Sequence, residues 1–193
     1  MSVSGLVVFP GAGTSADHPS LVAIECASEV PVARRDFPYR RAGRRAPDRA
    51  PVLVEAVRTE VRNVAESHGV PTSRLVIGGR SMGGRMCSMA AADADDSLPV
   101  AGLVLIAYPL RPPRKSGAVP RTAHLPGITV PVLCVSGTRD EFGSPDDLRA
   151  AFSAVSAPVE FVFLDGKRHD LARADDEVAR IVRDWVNALS VTN

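Results

Sequence analysis

The stretch "RLVIGGRSMGGRM", residues 74–86, joins a run of branched apolar residues to a cluster of glycines that encloses one serine. The first half has the pattern of a buried strand, and "MGGRMCSMAAAD" after Ser81 has the pattern of a helix. Gly79 and Gly83 flank the serine, which gives G-x-S-x-G between a strand and a helix. We interpret this as a tight turn that projects the Ser81 hydroxyl, because a Cβ atom at either glycine would crowd it.

The apolar strand pattern recurs along the chain, with helical segments between its occurrences. These runs are rich in Val, Leu and Ile and do not alternate with polar residues, which is typical of parallel strands covered on both faces. They lie at residues 5–9, 30–34, 74–79, 101–108, 131–137 and 159–164. The alternation predicts an α/β fold: a doubly wound, mostly parallel six-stranded sheet flanked by helices in three layers.

Two helices are predicted from the spacing of their apolar residues. The first covers residues 51–68, ends at Gly69 and carries one apolar face: Leu53, Val57, Val61 and Val64. The last helix carries a core-facing stripe: Leu171, Ala174, Val178, Ile181, Trp185 and Leu189. Since no repeat or linker divides the chain, we expect residues 1–193 to form a single domain.

Composition argues against several classes of function. The 193 residues carry a net charge of +1, which gives no general attraction to nucleic acid or to an anionic membrane. No apolar run approaches the roughly 20 residues of a membrane span, and the first residues lack the pattern of a signal peptide. Cys26, Cys87 and Cys134 are too scattered for a disulfide framework or a zinc site. We therefore expect a cytoplasmic protein without a metal, another cofactor, or a nucleic-acid or membrane partner.

A serine becomes a strong nucleophile only when a base takes its proton and an acid orients that base. The fifth apolar run leads into "GTRDEFGS", which contains Asp140, and the sixth leads into "DGKRHDLAR", which contains His169. Both positions follow strands at the carboxyl edge, where open parallel sheets bind ligands. The sequence thus predicts that Ser81, His169 and Asp140 form a catalytic triad, with Glu141 as the substitute acid. The remaining histidines are less suitably placed: His18, His68 and His124.

Acyl transfer also needs backbone N–H groups that hold the developing negative charge, an oxyanion hole. Met82 follows the serine directly and should supply one donor. The glycine-rich "FPGAG" at residues 9–13 follows the first strand, and we expect Ala12 to supply the second. The alternatives for this stretch are a plain glycine-rich turn or a phosphate cradle. It lacks dinucleotide-fingerprint spacing, and no Gly-Lys-Ser/Thr sequence follows it.

Two basic loops should lie near the same edge of the sheet. Residues 34–50 hold seven arginines and form either a solvated loop or a site for an anionic group. Residues 109–127 are Pro-rich and are expected to form a long surface loop beside the site. A shallow cleft bordered only by loops predicts a preference for substrates with short acyl chains. The nearby arginines predict a secondary preference for substrates that carry a carboxylate. Four residues are candidates for substrate contact: Tyr39, Arg80, Tyr108 and His124.

Seven short motifs occur in order along nearly the whole chain. They are "PGAG" with "HP" at 18–19, "FPY" at 37–39, "GGRSMGGR" at 78–85, "YPLRPP" at 108–113, "RTAHL" at 121–125, "GTRDEFG" at 137–143 and "RHD" at 168–170. With them the sequence resembles the α/β-hydrolases. Within that superfamily it is similar to the small branch without a cap domain, which includes dienelactone-hydrolase-like proteins and the hydrolase-like domain of subunit 3 of the NSL acetyltransferase complex.

The resemblance implies a first strand between the second and third, with Ser81 as nucleophile, Asp140 as acid and His169 as base. One departure is Pro10, which replaces a histidine often found before the oxyanion glycine. Another is that the chain has no room for the superfamily's first two strands or an inserted cap, the element that usually shapes the substrate pocket.

Two functions follow. The first is a serine hydrolase that cleaves a small ester, thioester or lactone through an acyl-enzyme. The second is a non-catalytic interaction module of a larger assembly, because members of this branch can serve as subunits. The presence of the hydroxyl, imidazole and carboxylate of Ser81, His169 and Asp140 favours the enzyme, and a small acyl compound would be its substrate. The physiological substrate and the oligomeric state are not written in the sequence.

Overall fold

A sheet of six parallel strands lies at the centre of the computed structural model, which describes residues 2–96, 98–112 and 121–191. The strands are β1 (Gly5–Phe9), β2 (Val32–Arg34), β3 (Leu75–Arg80), β4 (Gly102–Ile106), β5 (Val132–Gly137) and β6 (Val159–Leu164). Their order is β2-β1-β3-β4-β5-β6, so β1 lies between β2 and β3 as the resemblance implied. The predicted six-stranded doubly wound sheet is confirmed, and every neighbouring pair in it is parallel.

Burial explains why the strands read as unbroken apolar runs. Every residue of β1, β3, β4 and β5 is buried, since helices cover both faces of these inner strands. Each fully buried Val, Leu or Ile side chain contributes about 1.5–3 kcal/mol relative to an exposed one. The edge strands β2 and β6 are only partly buried.

Six helices of the described residues form the two outer layers. They are α1 (Pro19–Ala27), α2 (Pro38–Arg41), α3 (Ala50–His68), α4 (Met82–Ala92), α5 (Pro145–Phe152) and α6 (Asp175–Val191). Buried residues of α1 and α6 form the core on one face of the sheet. Those of α3, α4 and α5 form the core on the other face, which completes the three predicted layers.

The helix termini agree with the prediction in α3 and differ in α6. The four predicted apolar residues of α3 are buried, and Gly69 ends the helix in the left-handed conformation with φ +64°. The prediction that Leu171 and Ala174 belong to the last helix is wrong, because α6 begins at Asp175. Leu171 and Arg173 have φ values of +49° and +59°, which interrupt a right-handed helix. Leu171 and Ala174 are buried as part of the preceding loop instead.

Among the described residues, no helix is both long enough and apolar enough to span a membrane. The described residues also contain no group of three or more His, Cys, Asp or Glu side chains that could hold a metal ion. Cys87 and Cys134 are buried, and burial raises the pKa of both thiols. These two cysteines therefore pack as small apolar side chains.

Candidate active site

Ser81 occupies a strained turn between the end of β3 and the start of α4. Its backbone angles are φ +50° and ψ −114°, outside the regions that a residue with a side chain ordinarily adopts. Such a conformation costs about 1–3 kcal/mol and persists only where the surroundings enforce it. Here the Ser81 N–H donates to the Ile106 carbonyl oxygen at 2.7 Å, which ties the turn to the end of β4.

The two flanking glycines allow the end of β1 to lie against this turn. A Cβ atom at Gly79, whose φ is +154°, would lie 2.1 Å from the Phe9 carbonyl oxygen. One at Gly83 would lie 2.3 Å from the same oxygen. No side chain is compatible with such distances, so the close approach of β1 requires glycine at both positions.

His169 connects Ser81 with Asp140 through a continuous chain of hydrogen bonds. The Nε2 atom of His169 lies 2.9 Å from the Ser81 Oγ. The Nδ1 atom lies 3.0 Å from each carboxylate oxygen of Asp140. The three side chains come from the loops that follow β3, β5 and β6, whose carboxyl ends share one edge of the sheet. The structure thus brings together all three residues of the predicted triad.

The Asp140 carboxylate is enclosed and accepts hydrogen bonds from two further donors. Its side chain has no exposed surface. The Ser136 hydroxyl donates to Oδ2 at 3.0 Å, and the Phe142 backbone N–H donates to Oδ1 at 2.8 Å. Glu141, the alternative acid, accepts from the His169 backbone N–H at 3.3 Å and from Arg168 at 3.4 Å. Asp140 is therefore the carboxylate that contacts the imidazole ring.

Two neighbours restrict the position of the imidazole. The Phe142 ring packs edge-on against His169, with centroids 4.2 Å apart and an interplanar angle of 72°. The Nη2 atom of Arg80 donates to the His169 carbonyl oxygen at 2.9 Å. Burial lowers the pKa of Arg80, and Asp170, Asp175 and Asp140 oppose that effect. The side chain of Arg80, the residue before the serine, therefore holds the loop that carries His169.

A cleft of about 680 Å³ opens beside the Ser81 hydroxyl. His169 and Arg80 line one part of it, and the described lining also includes an apolar group: Leu53, Met82, Met86, Pro109 and Phe142. Its volume lies within the range of small-molecule sites, about 300–1,000 Å³. The reactive groups therefore face a space that admits a small organic molecule.

The loop after β1 forms the cleft wall next to the serine. A Cβ atom added at Gly11 would lie only 3.5 Å from the Ser81 Cβ. Gly11, Ala12 and Met82 all line the cleft. Among the described residues, neither the Ala12 N–H nor the Met82 N–H has a backbone or side-chain acceptor. Met82 is the first residue of α4, where N–H groups lack intrahelical partners. Both predicted oxyanion donors therefore lie beside the nucleophile without a competing partner.

A family model described as an alpha/beta hydrolase domain matches residues 4–190. This chain belongs to the alpha/beta hydrolase family. Among similar solved structures is an alpha-beta serine hydrolase homologue from Coxiella burnetii, with a TM-score of 0.75 and 20% identity over 96% of this chain and 86% of that one. Another is Est1E from Butyrivibrio proteoclasticus, with a TM-score of 0.74 and 16% identity over 97% and 88%.

Dienelactone hydrolase from Anabaena variabilis is a third similar structure, with a TM-score of 0.73 and 17% identity over 95% of this chain and 85% of that one. At such identities the likeness shows the alpha/beta hydrolase fold. It agrees with the family resemblance carried by the sequence motifs, which is thereby confirmed.

Two tyrosines predicted to contact substrate are buried in this alpha/beta hydrolase domain. Neither Tyr39 nor Tyr108 is among the described residues that line the cleft, and neither has exposed surface. Tyr39 stacks on Phe37 with ring centroids 6.3 Å apart, and burial raises the pKa of its hydroxyl. Tyr108 packs edge-on against Phe152 at 5.2 Å. Both rings pack in the core, so Arg80 is the predicted contact residue whose side chain reaches the cleft.

His124, the fourth predicted contact residue, belongs to a buried polar network behind α4. Its Nε2 atom lies 2.9 Å from the Ser88 Oγ and 3.1 Å from the Tyr108 hydroxyl, and these two oxygens are 3.1 Å apart. Burial, and to a smaller extent the charge of Arg85, lowers the pKa of His124 to about 4. Burial raises the pKa of Tyr108 to about 12. The imidazole is therefore neutral near pH 7 and joins α4 to the Leu125–Gly127 turn.

The structure adds two cleft residues that the motif analysis of this hydrolase missed, Arg85 and Arg121. The Arg85 backbone N–H donates to the Ser81 carbonyl oxygen at 3.1 Å, so Arg85 lies one helical turn after the serine. Spacing could have identified Arg85, because residues four apart share one face of a helix. Arg121 follows residues 113–120. These residues belong to the predicted 109–127 loop and lie outside the described residues.

Four arginines of the basic segment 34–50 are paired with acidic side chains. Arg34 contacts Asp17 and Glu25, Arg35 and Arg41 contact Glu60, and Arg44 contacts Asp48. Pro38–Arg41 forms the short helix α2 within this segment. These arginines neutralise nearby carboxylates, as expected of a solvated loop.

Proposed function

We propose that this alpha/beta hydrolase is a serine hydrolase that cleaves small esters, thioesters or lactones through an acyl-enzyme. One observation carries the proposal: the hydrogen-bonded chain from Asp140 through His169 to the Ser81 hydroxyl, which opens into a cleft. Hydroxyl, imidazole and carboxylate in this order supply the groups that acyl transfer requires.

In the proposed reaction, the Ser81 Oγ attacks the substrate carbonyl carbon while the Nε2 of His169 takes the hydroxyl proton. The carbonyl oxygen becomes an oxyanion and accepts hydrogen bonds from the Ala12 and Met82 N–H groups. The bond from the carbonyl carbon to the leaving oxygen or sulfur then breaks, and His169 returns the proton to the leaving group. Asp140 holds the Nδ1 proton and stabilises the imidazolium that forms.

Water completes the cycle by attacking the acyl-enzyme. His169 removes a proton from that water, and the second tetrahedral intermediate uses the same two backbone donors. Ser81 leaves as the alkoxide, takes the proton from His169 and releases a carboxylic acid. Every proton in both halves moves through the Nε2 atom, which the Asp140 contact and the edge of Phe142 keep aimed at Ser81.

The proposal is tested by labelling with a fluorophosphonate probe and by hydrolysis of p-nitrophenyl acetate. Ser81→Ala should abolish labelling and lower kcat by at least about 10³-fold, since it removes the nucleophile. Ser73→Ala is the matched control, because Ser73 is an exposed serine just before β3 and should leave both readings unchanged. Undiminished hydrolysis in a folded Ser81→Ala variant would refute the assignment of the nucleophile. Absence of both labelling and hydrolysis in the native protein would favour the non-catalytic interaction module.

The same assay extended from acetyl to dodecanoyl esters tests the proposed preference for short acyl chains. Each methylene contributes about 0.8 kcal/mol when fully buried, or about fourfold in kcat/KM. We expect the gain to end after the first few methylenes because the cleft is open to solvent. A steady rise to the dodecanoyl ester would indicate a long apolar tunnel instead.

A further inference from the structure

The cleft beside Ser81 contains positive charge that no carboxylate of the described residues neutralises. Arg85 and Arg121 both line it, and neither forms an ion pair with an acidic side chain in the described part of the chain. Burial is the main effect that lowers the pKa of Arg85, and the nearby charge of Arg121 lowers it further. Two guanidinium groups therefore face the same space and repel each other.

Two arginines outside the cleft have acidic partners and provide a comparison. Arg58, whose side chain is 7% exposed, contacts Asp93 at 2.6 Å and Asp96 at 3.2 Å. Arg111 binds Asp147 through two parallel hydrogen bonds of 2.8 and 3.0 Å. Arg85 and Arg121 have no such acidic partner among the described residues, and two unpaired guanidinium groups in one cleft point to an external anion.

The acid that lines the cleft among the described residues, Asp48, does not serve Arg85 or Arg121. Both of its carboxylate oxygens accept from Arg44, at 2.7 and 3.0 Å. The Arg85 Nε atom is buried without a hydrogen-bond partner among the described residues, and burial lowers the pKa of its guanidinium. Arg40 also has an Nε without a partner in the described part of the chain, but Arg40 does not line the cleft. Arg85 therefore combines an incompletely bonded guanidinium with a position in the cleft wall.

We propose that Arg85 and Arg121 bind a carboxylate of the substrate, so that the preferred substrates are short esters or thioesters of dicarboxylic acids. This inference rests on the proposed function for the reaction but not for the binding of the anion. Arg85 lies one helical turn, about 5.4 Å along the helix, from the serine. Both residues line the same cleft, so we take a succinyl or glutaryl group, with its carboxylate a few bonds from the carbonyl under attack, as the acyl group to test.

The kinetic test compares p-nitrophenyl hydrogen glutarate with p-nitrophenyl pentanoate, which has the same leaving group and nearly the same acyl length. We expect the glutarate ester to have a kcat/KM at least about tenfold higher, since one charged hydrogen bond has this effect. Arg85→Gln and Arg121→Gln should each lower that ratio by about tenfold, through a higher KM for the glutarate ester. Arg62→Gln is the matched control, because Arg62 pairs with Asp96 on the surface and should change neither substrate.

A second arm locates the carboxylate in the substrate. It compares 4-acetoxybenzoate with its methyl ester, which places the negative charge on the leaving group. If 4-acetoxybenzoate alone is preferred over its neutral analogue, and this preference depends on Arg85, the arginines bind a carboxylate of the leaving group and the assignment to dicarboxylic acyl groups is wrong. Equal rates for charged and neutral substrates in both arms, or ratios that neither arginine variant changes, would overturn the proposal.

Binding of glutarate to a variant that cannot hydrolyse esters tests the anion site independently of the proposed reaction. Glutarate should bind the Ser81→Ala variant in calorimetry at low salt, and at least about tenfold more weakly once Arg85→Gln or Arg121→Gln is added. If no ester is hydrolysed but glutarate binds in this way, the reaction fails and the anion site stands. Absence of glutarate binding, or tighter binding of inorganic phosphate than of glutarate, would overturn the carboxylate site. Arg121→Gln provides the decision if Arg85→Gln does not fold.

Discussion

Replacing Asp140 by asparagine changes the charge of the candidate site without changing its size. In the native site Oδ1 accepts from the Phe142 N–H at 2.8 Å, so the amide NH₂ is excluded from that position by a contact between two donors. The NH₂ must take the Oδ2 position, where the Ser136 hydroxyl can rotate to accept from it. There it also lies 3.0 Å from the Nδ1 of His169 and favours an unprotonated Nδ1.

That arrangement moves the imidazole proton to Nε2, which faces Ser81 and can then no longer accept the hydroxyl proton. The substitution also removes the negative charge that stabilises the imidazolium. In triads of this kind the two effects together lower kcat by about 10⁴-fold, or about 5.5 kcal/mol. We expect a loss of about 10³- to 10⁴-fold here with the fold retained, because Ser136 and Phe142 keep partners.

The assay is kcat for p-nitrophenyl acetate between pH 6 and 9, with thermal unfolding to verify the fold. Glu141→Gln is the matched control, since Glu141 neighbours Asp140 but contacts only the His169 backbone and Arg168. It should retain activity within about tenfold. The reasoning is refuted if Asp140→Asn keeps more than a tenth of the activity, or if Glu141→Gln loses as much.

Two predictions concern stability and are measured by urea unfolding. Gly83→Ala should lower the free energy of unfolding by about 3 kcal/mol or more, since its Cβ would lie 2.3 Å from the Phe9 oxygen. Gly69→Ala, with left-handed φ but open space around it, should cost only about 1–2 kcal/mol, and equal losses would contradict the steric argument. The folded protein holds the pKa of His124 at about 4, whereas the unfolded chain takes up that proton near 6.5. Stability should therefore fall as the pH drops from 6.5 towards 4, and a His124→Gln variant with the same pH dependence would contradict this assignment.

The sheet and the proximity of Ser81, Asp140 and His169 could be predicted because strong local constraints determine them. The inner strands have no solvent-facing side, so each reads as an unbroken apolar run. The turn at Ser81 needs glycine on both sides for steric reasons that do not depend on distant residues. Once the sheet is parallel, the loops that carry Asp140 and His169 must emerge at the same edge. The parallel topology therefore predicts that the three side chains lie close together, although they are far apart in the sequence.

Side-chain direction and loop conformation could not be predicted in the same way. Tyr108 and His124 lie near the expected strand ends, but their hydroxyl and imidazole groups find partners in the interior, at Ser88. An amphipathic ring can face the cleft or the core, and only the packed neighbours decide. Leu171 likewise has helical spacing, yet turns between Arg168 and α6 fix it in a left-handed conformation. Such choices depend on contacts distant in sequence.

The sheet order also has a consequence for when the serine can react during folding. Ser81 follows β3 in the middle of the sheet, whereas His169 follows β6, which is synthesised later than β3 and lies at one edge of the described sheet. A partly folded chain can form the turn around Ser81 well before the base is in place, because β6 docks only on a completed β5. Until then the hydroxyl remains an ordinary alcohol with no hydrolytic power. Under the proposed reaction, activity that returns during refolding would therefore report the docking of β6 on β5.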